Sequence, residues 1–141
     1  MATLAINSHY NDLYLGRVVV GTSTIKALIT TSAYVPSKDN HSTRANITNE
    51  VSGTGYTAGG FTVTATLAQD LATDKTTLTL GAIAATGTTV NNMRQVVYYV
   101  SNGGAASGDY LLCVVDFGSD YSTSNQAINI STTTMSITNP N

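Results

Sequence analysis

Residues 61–67 read Phe61-Thr-Val-Thr-Ala-Thr-Leu67. Phe61, Val63, Ala65 and Leu67 alternate with Thr62, Thr64 and Thr66, so an extended chain sends the apolar groups to one face and the hydroxyls to the other. A helix would scatter the same residues around its axis. The stretch reads as a half-buried β-strand, and the same period of two recurs along the chain.

Working outward, Ile25, Ala27 and Ile29 alternate with Lys26, Leu28 and Thr30, and residues 13–20 read as the strand before them. Residues 76–80 form a shorter strand closed by Gly81. The strongest apolar runs are residues 95–100 and 110–117. The flexible stretch 102–108 between them suits a hairpin joining two central antiparallel strands. Residues 127–133 alternate once more before Pro140 ends ladder pairing. No long segment places apolar residues at i, i+3, i+4 and i+7, so helix is a minor component, with residues 42–51 the best place for a turn or two. The spacing predicts a single all-β domain over residues 1–141: an antiparallel β-sandwich or barrel, jelly-roll-like, with seven or eight strands and long loops. Residues 1–12 are expected to form an extended N-terminal arm, 34–60 a long turn-rich loop, and 139–141 a polar C-terminal tail. Long loops in compact domains are usually functional.

Only 10% of residues are charged, against about 25% in an average domain. Thr, Ser, Asn and Gly take their place, with Ser and Thr alone filling a quarter of the chain. A formal net charge of −2 gives no positive field to hold a phosphate backbone or an anionic lipid surface, so neither a nucleic acid nor a membrane is expected as partner. No run approaches the length of about 20 apolar residues that a spanning helix needs, and the first residues show no basic-then-apolar leader pattern. Cys113 is the single cysteine and lies inside an apolar run, so it reads as a small buried hydrophobe. A chain without disulfides fits assembly in a reducing cytoplasm.

Residues able to carry chemistry are few. His9 and His41 are the only histidines, and no nucleophile-elbow motif accompanies either. Asp116 and Asp120 bracket Phe117-Gly-Ser and read as turn formers at the end of a strand; their spacing does not match a calcium loop. The stretch Gly53-Thr-Gly-Tyr-Thr-Ala-Gly-Gly60 lacks the Gly-Lys-Ser/Thr ending of a phosphate-binding loop, so it reads as a glycine-rich turn before a strand. The eight tyrosines are expected mostly in core and interface packing. The chain is therefore read as non-catalytic, with no cofactor and no metal.

Three segments, taken in order, go further than composition. They are Thr24-Ile-Lys-Ala-Leu-Ile-Thr-Thr-Ser-Ala-Tyr-Val-Pro36, Asn49-Glu-Val-Ser-Gly-Thr-Gly-Tyr-Thr-Ala-Gly-Gly60 and Val115-Asp-Phe-Gly-Ser-Asp-Tyr-Ser-Thr-Ser-Asn125. Together they resemble a family of small virion proteins of tailed bacteriophages. The resemblance covers most of the chain from Thr24 onward, and residues 49–60 are its most specific part. The chain departs from the family pattern in having no tryptophan in its middle strands and an extended polar tail. The resemblance implies a capsid decoration or cement protein, made in the host cytoplasm and held in the virion on the outer surface of the major capsid protein lattice. It also implies a homo-oligomer, a trimer suiting the local three-fold positions of such lattices. A head–tail or tail structural protein and a glycan-binding β-sandwich module are the alternatives. From polarity and turn content, the candidate partner contacts are His9, Tyr10 and Asp12 in the arm; Tyr34, Lys38, Asp39, His41, Arg44 and Tyr56 in the loop; and Asn139 and Asn141 in the tail.

Overall fold

The computed structural model describes residues 1–139. In chain order these form β1 (Ala2–Ala5), α1 (Ser8–Tyr14), β2 (Thr24–Thr30), β3 (Gly53–Thr54), β4 (Phe61–Val63), β5 (Ala65–Asp70), β6 (Lys75–Leu80) and β7 (Ile83–Val90). There follow β8 (Met93–Ser101), β9 (Tyr110–Tyr121), β10 (Gln126–Ile130) and β11 (Thr133–Thr138). The strands make three antiparallel sheets: a main sheet ordered β1-β9-β8-β2-β4, a second ordered β10-β7-β3 and a third ordered β11-β6-β5. The result is the all-β, sandwich-like architecture that the alternation predicts.

Eleven strands replace the expected seven or eight: β1, β3 and β7 fall in segments not read as strands, and three chain runs bend from one sheet into another. β4 passes into β5 at Thr64, β6 into β7 at residues 81–82, and β10 into β11 at residues 131–132. Eleven strands less three bends leave eight continuous runs. The quoted stretch 61–67 thus alternates without a break in sequence while changing sheets at Thr64. Two of the bends nest: the Gly81 N–H donates to the Thr64 carbonyl at 2.8 Å, and a Cβ on Gly81 would lie 2.2 Å from Thr64 Oγ1. Only glycine permits that approach.

β8 and β9 lie in the middle of the main sheet and are buried on both faces, which explains why their sequences are nearly continuous apolar runs. Val96, Tyr98 and Val100 join Leu80, Ile83, Val90, Ile128 and Ile130 in the larger core, between the main sheet and the other two. Val97 and Tyr99 point the opposite way, into a smaller core with Ile6, Leu28, Tyr34, Leu111 and Val114. In the β8–β9 ladder Tyr98 faces Cys113 but Tyr99 faces Leu111, so Leu112 is the extra residue of a β-bulge. That bulge puts Leu112 and Cys113 together in the larger core. Burial pushes the Cys113 thiol up to about 12, which keeps it protonated and inert.

Several expectations need correction. Residues 1–12 are not an extended arm: β1 pairs with β9, from Ala2 opposite Asp116 to Ala5 opposite Cys113, and α1 follows. The helix escaped the apolar-period search because the residues it buries, His9 and Asp12, are polar. Residues 13–20 contain the end of that helix and a turn instead of a strand, with only Val18 buried. β7 went unpredicted because Ala84, Ala85 and Gly87 dilute its alternation. β9 does not end at Phe117 but runs on to Tyr121. Between Met93 opposite Tyr121 and Gln95 opposite Asp116 it accommodates a second, wider bulge. There Asp116 Oδ1 accepts the Gly118 N–H and Arg94 Nε, both at 2.7 Å, and Arg94 also reaches Asp120 at 3.6 Å. The two carboxylates therefore share a guanidinium.

Candidate partner-contact surface

Residues 49–60 act as a clip between sheets. The Thr31 N–H donates to the Asn49 carbonyl and the Val51 N–H to the Ile29 carbonyl, both at 3.0 Å, which ties the string to β2. Glu50 Oε1 then accepts the Tyr56 hydroxyl at 2.8 Å and the Gly59 N–H at 2.6 Å. The Tyr56 oxygen accepts the Ile29 N–H at 3.0 Å, and the Tyr99 hydroxyl donates to the Gly59 carbonyl at 2.7 Å. β3 completes the clip by pairing Gly53 with Val90 and Thr54 with Thr89 of β7. Burial first, then the bond to Glu50, raise the Tyr56 hydroxyl far above its ordinary range against the opposing Ile29 N–H, so it stays a donor. Tyr56, expected as a partner contact, is committed to this clip.

The rest of the loop covers the back of the main sheet. The Leu111 N–H donates to the Ser42 carbonyl at 3.0 Å and the Arg44 N–H to the Asp109 carbonyl at 2.8 Å. A 3₁₀ turn at Arg44–Asn46 is all the helix that residues 42–51 form. Arg44 Nε donates to the buried Asp109 at 2.7 Å, and its guanidinium lies 5.6 Å from the centre of the Tyr99 ring. Tyr34 is buried, stacked on His41, with the two bonded between hydroxyl and Nδ1 at 2.9 Å. The Ser37 N–H also donates to that nitrogen, so Nδ1 is the acceptor and the Tyr34 hydroxyl the second donor. Burial pushes that hydroxyl up to about 12.

The candidate contacts thus separate by position. His9, Asp12 and Tyr34 are buried, and their side chains are not offered to a partner. Asp12 pairs with Arg17 at 3.0 Å, and Arg17 covers the Tyr110 ring. Ser8 Oγ, His9 Nδ1 and Asp12 Oδ2 are buried without a hydrogen-bond partner among the described residues. Tyr10, Lys38, Asp39 and Asn139 are exposed, while His41 and Arg44 are half-buried. Lys38 and Asp39 pair at 3.0 Å, and Asn7 joins them: its N–H donates to the Lys38 carbonyl at 3.0 Å and its side-chain amide to Asp39. The N-terminal segment and the loop therefore meet at Asn7. The Asn139 N–H donates to the Asp74 carbonyl at 2.9 Å, and Asn141 lies outside the described residues.

Sequence reasoning missed the third sheet, whose two faces differ sharply. In register across β5, β6 and β11, one face carries Thr66, Thr79 and Thr134 in one row and Ala68, Thr77 and Ser136 in the next. Thr77 and Ser136 share a hydrogen bond at 3.2 Å. Within a row the side chains stand about 4.8 Å apart from strand to strand, giving a neutral face rich in hydroxyls. The other face carries Leu67, Leu78 and Met135, then Gln69, Thr76 and Ile137. It walls a cleft of about 400 Å³ whose far side is Tyr10, Leu13 and residues 18–20, and it leaves Leu67 59% and Ile137 48% exposed. The alternation in residues 61–67 was the visible signal; what it could not tell was that the strand leaves the main sheet. Comparison with protein-family models, curated proteins and solved structures finds no match.

Proposed function

We propose that this chain is a structural protein of a tailed-phage virion, a capsid cement or decoration protein that binds the outer surface of the major capsid protein lattice and stabilises the head. It acts there by occupying a contact and not by turning over a substrate. The observation that carries this reading is the third sheet. It presents an ordered face of threonine and serine hydroxyls on one side and partly exposed Leu67 and Ile137 on the other. Such groups desolvate at lower cost than unpaired ions when an interface closes. The resemblance of residues 24–36, 49–60 and 115–125 to small phage virion proteins supplies the identity of the lattice. The internal bonding of residues 49–60 supports it too, since a loop tied to β2, β7 and Tyr99 suits a protein that serves as a rigid scaffold.

A second reading, a glycan-binding module, draws on Tyr10 and Tyr14. They stand four residues apart on α1 and are 41% and 94% exposed, within reach of the ring stacking that sugars use. One experiment separates the two. Purified protein is mixed with capsids of its phage that lack it, and the particles are imaged by electron cryo-microscopy. Ordered density at repeated positions on the outer shell is the expected result, with the hydroxyl face or the cleft beside it at the contact. Bare shells would remove the cement reading, and density confined to the tail would move the protein to the head–tail or tail class.

A further inference from the structure

We propose that two copies of this chain associate by antiparallel pairing of one strand edge, the outer edge of residues 126–138. β10 pairs only with β7 and β11 only with β6, so both stand outermost in their sheets, and they belong to one chain run with a single bend. Among the described residues no strand meets their other side. At a rise of about 3.3 Å per residue this leaves roughly 40 Å of backbone edge open. Folded chains guard such edges with lysine, proline, bulges or brevity. Here β3, β4 and β1 are guarded by shortness, and β5 ends on Asp70. Residues 126–138, Gln-Ala-Ile-Asn-Ile-Ser-Thr-Thr-Thr-Met-Ser-Ile-Thr, contain no charge, no proline and no glycine.

The space beside the edge is already shaped. A cleft of about 410 Å³ is lined by every residue from 126 to 131, and by Met1, Met93, Phe117 and Tyr121 on its far side. The cleft thus follows β10, which is the outermost strand of its sheet. The cleft against the third sheet takes in residues 135–137 of the same run. No lining residue of the first cleft carries a charged side chain.

The absence of charge selects a second copy as the occupant. A two-fold axis sets the residues nearest to it against their own counterparts, so any charge there would repel itself. An edge uncharged over thirteen residues can lie against itself along its whole length. Two-fold pairing over the whole run centres on Thr132 and sets Ser131 opposite Thr133, a favourable cross-strand combination. A trimer would need two different complementary edges, and this contact uses one edge twice.

The test needs only the purified full chain. Sedimentation equilibrium over a wide concentration range is expected to give a mass near twice the 14.7 kDa chain, in equilibrium with monomer. The double variant Asn129→Lys/Ser136→Lys changes two exposed residues on the edge and should weaken association by about ten-fold or more through like-charge opposition. The control Thr66→Lys/Gln69→Lys, on the β5 edge, should leave it unchanged. If the edge variant folds poorly, wild-type amide exchange decides: protection within residues 126–138 should rise with protein concentration. A monomer at every concentration, a trimer, or a dimer indifferent to the edge variant would overturn the pairing. So would protection that grows only when capsids are added, which would give the edge to a shell subunit. The sedimentation outcomes do not depend on whether the capsid reading holds.

Discussion

Gly60 and Gly103 share almost the same backbone, with φ of 75° and 74°, and differ in what surrounds them. A Cβ on Gly60 would lie 2.0 Å from the Ala27 carbonyl oxygen, whereas one on Gly103 meets nothing within 4 Å. Gly103→Ala should therefore cost only the left-handed backbone strain, about 1 kcal/mol. Gly60→Ala must also push residues 49–60 off β2 and should cost about 4 kcal/mol or more. Urea denaturation of the two variants checks this, and equal losses would mean that the clip yields freely. His9 offers a second test. Burial lowers its pKa below the ordinary 6.5, and Asp12 only partly opposes the shift. A group with a lowered folded pKa binds more protons unfolded, so its contribution is complete above about pH 6.5 and is lost as pH falls through the folded value. Stability should decline from pH 7.5 to 5.5, and His9→Gln should flatten that decline; a slope unchanged by the substitution would place it on other groups. His9, Asp12 and Tyr34 were misplaced as surface contacts for one reason: residue type predicts exposure only on average, and these three have partners or packing that only the folded chain brings to them. Lys38 and Asp39 are exposed, as charged residues in a loop usually are.

Among elements, legibility followed burial. β8 and β9 were plain in the sequence because a strand covered on both faces must be apolar throughout, and β2, buried on both faces from Ala27 to Thr30, for the same reason. β7 and α1 were not, the one being diluted by small residues and the other burying polar groups. The bends that divide β4 from β5 and β10 from β11 left no mark, since a strand keeps its period of two while it changes partners. What the N-terminal elements contribute follows from Ile6, which is fully buried in the smaller core, with its N–H donating to the Leu112 carbonyl at 3.1 Å. Ile6→Ala should cost about 2–5 kcal/mol by thermal or urea unfolding. Deleting residues 1–12 also strips β1 from β9, and should leave little folded protein. A truncated chain as stable as the parent would restore the free arm that the sequence suggested.

At the scale of the whole molecule, the charges are largely satisfied at home. Of six basic residues, Arg17, Lys38, Arg44 and Arg94 already pair with Asp12, Asp39, Asp109 and Asp116, at 2.7–3.0 Å. Two of those carboxylates, on Asp12 and Asp109, are buried, so their partners are held in place by the cost of leaving them alone. An interface made by the third sheet would draw its free energy from hydroxyls, backbone edges and the apolar groups Leu67 and Ile137, none of which salt screens. Ionic contacts between exposed groups weaken as the Debye length shrinks, from about 14 Å at 0.05 M to about 4 Å at 0.5 M salt. Capsid occupancy should accordingly change by less than about two-fold across that range, while Leu67→Ser/Ile137→Ser, which removes exposed apolar surface without disturbing a buried residue, should lower it clearly. Steep loss of occupancy with salt, with the serine variant still bound, would instead assign the contact to Lys38, Asp39 and Arg44 in the loop, and would overturn the proposal that the third sheet meets the shell.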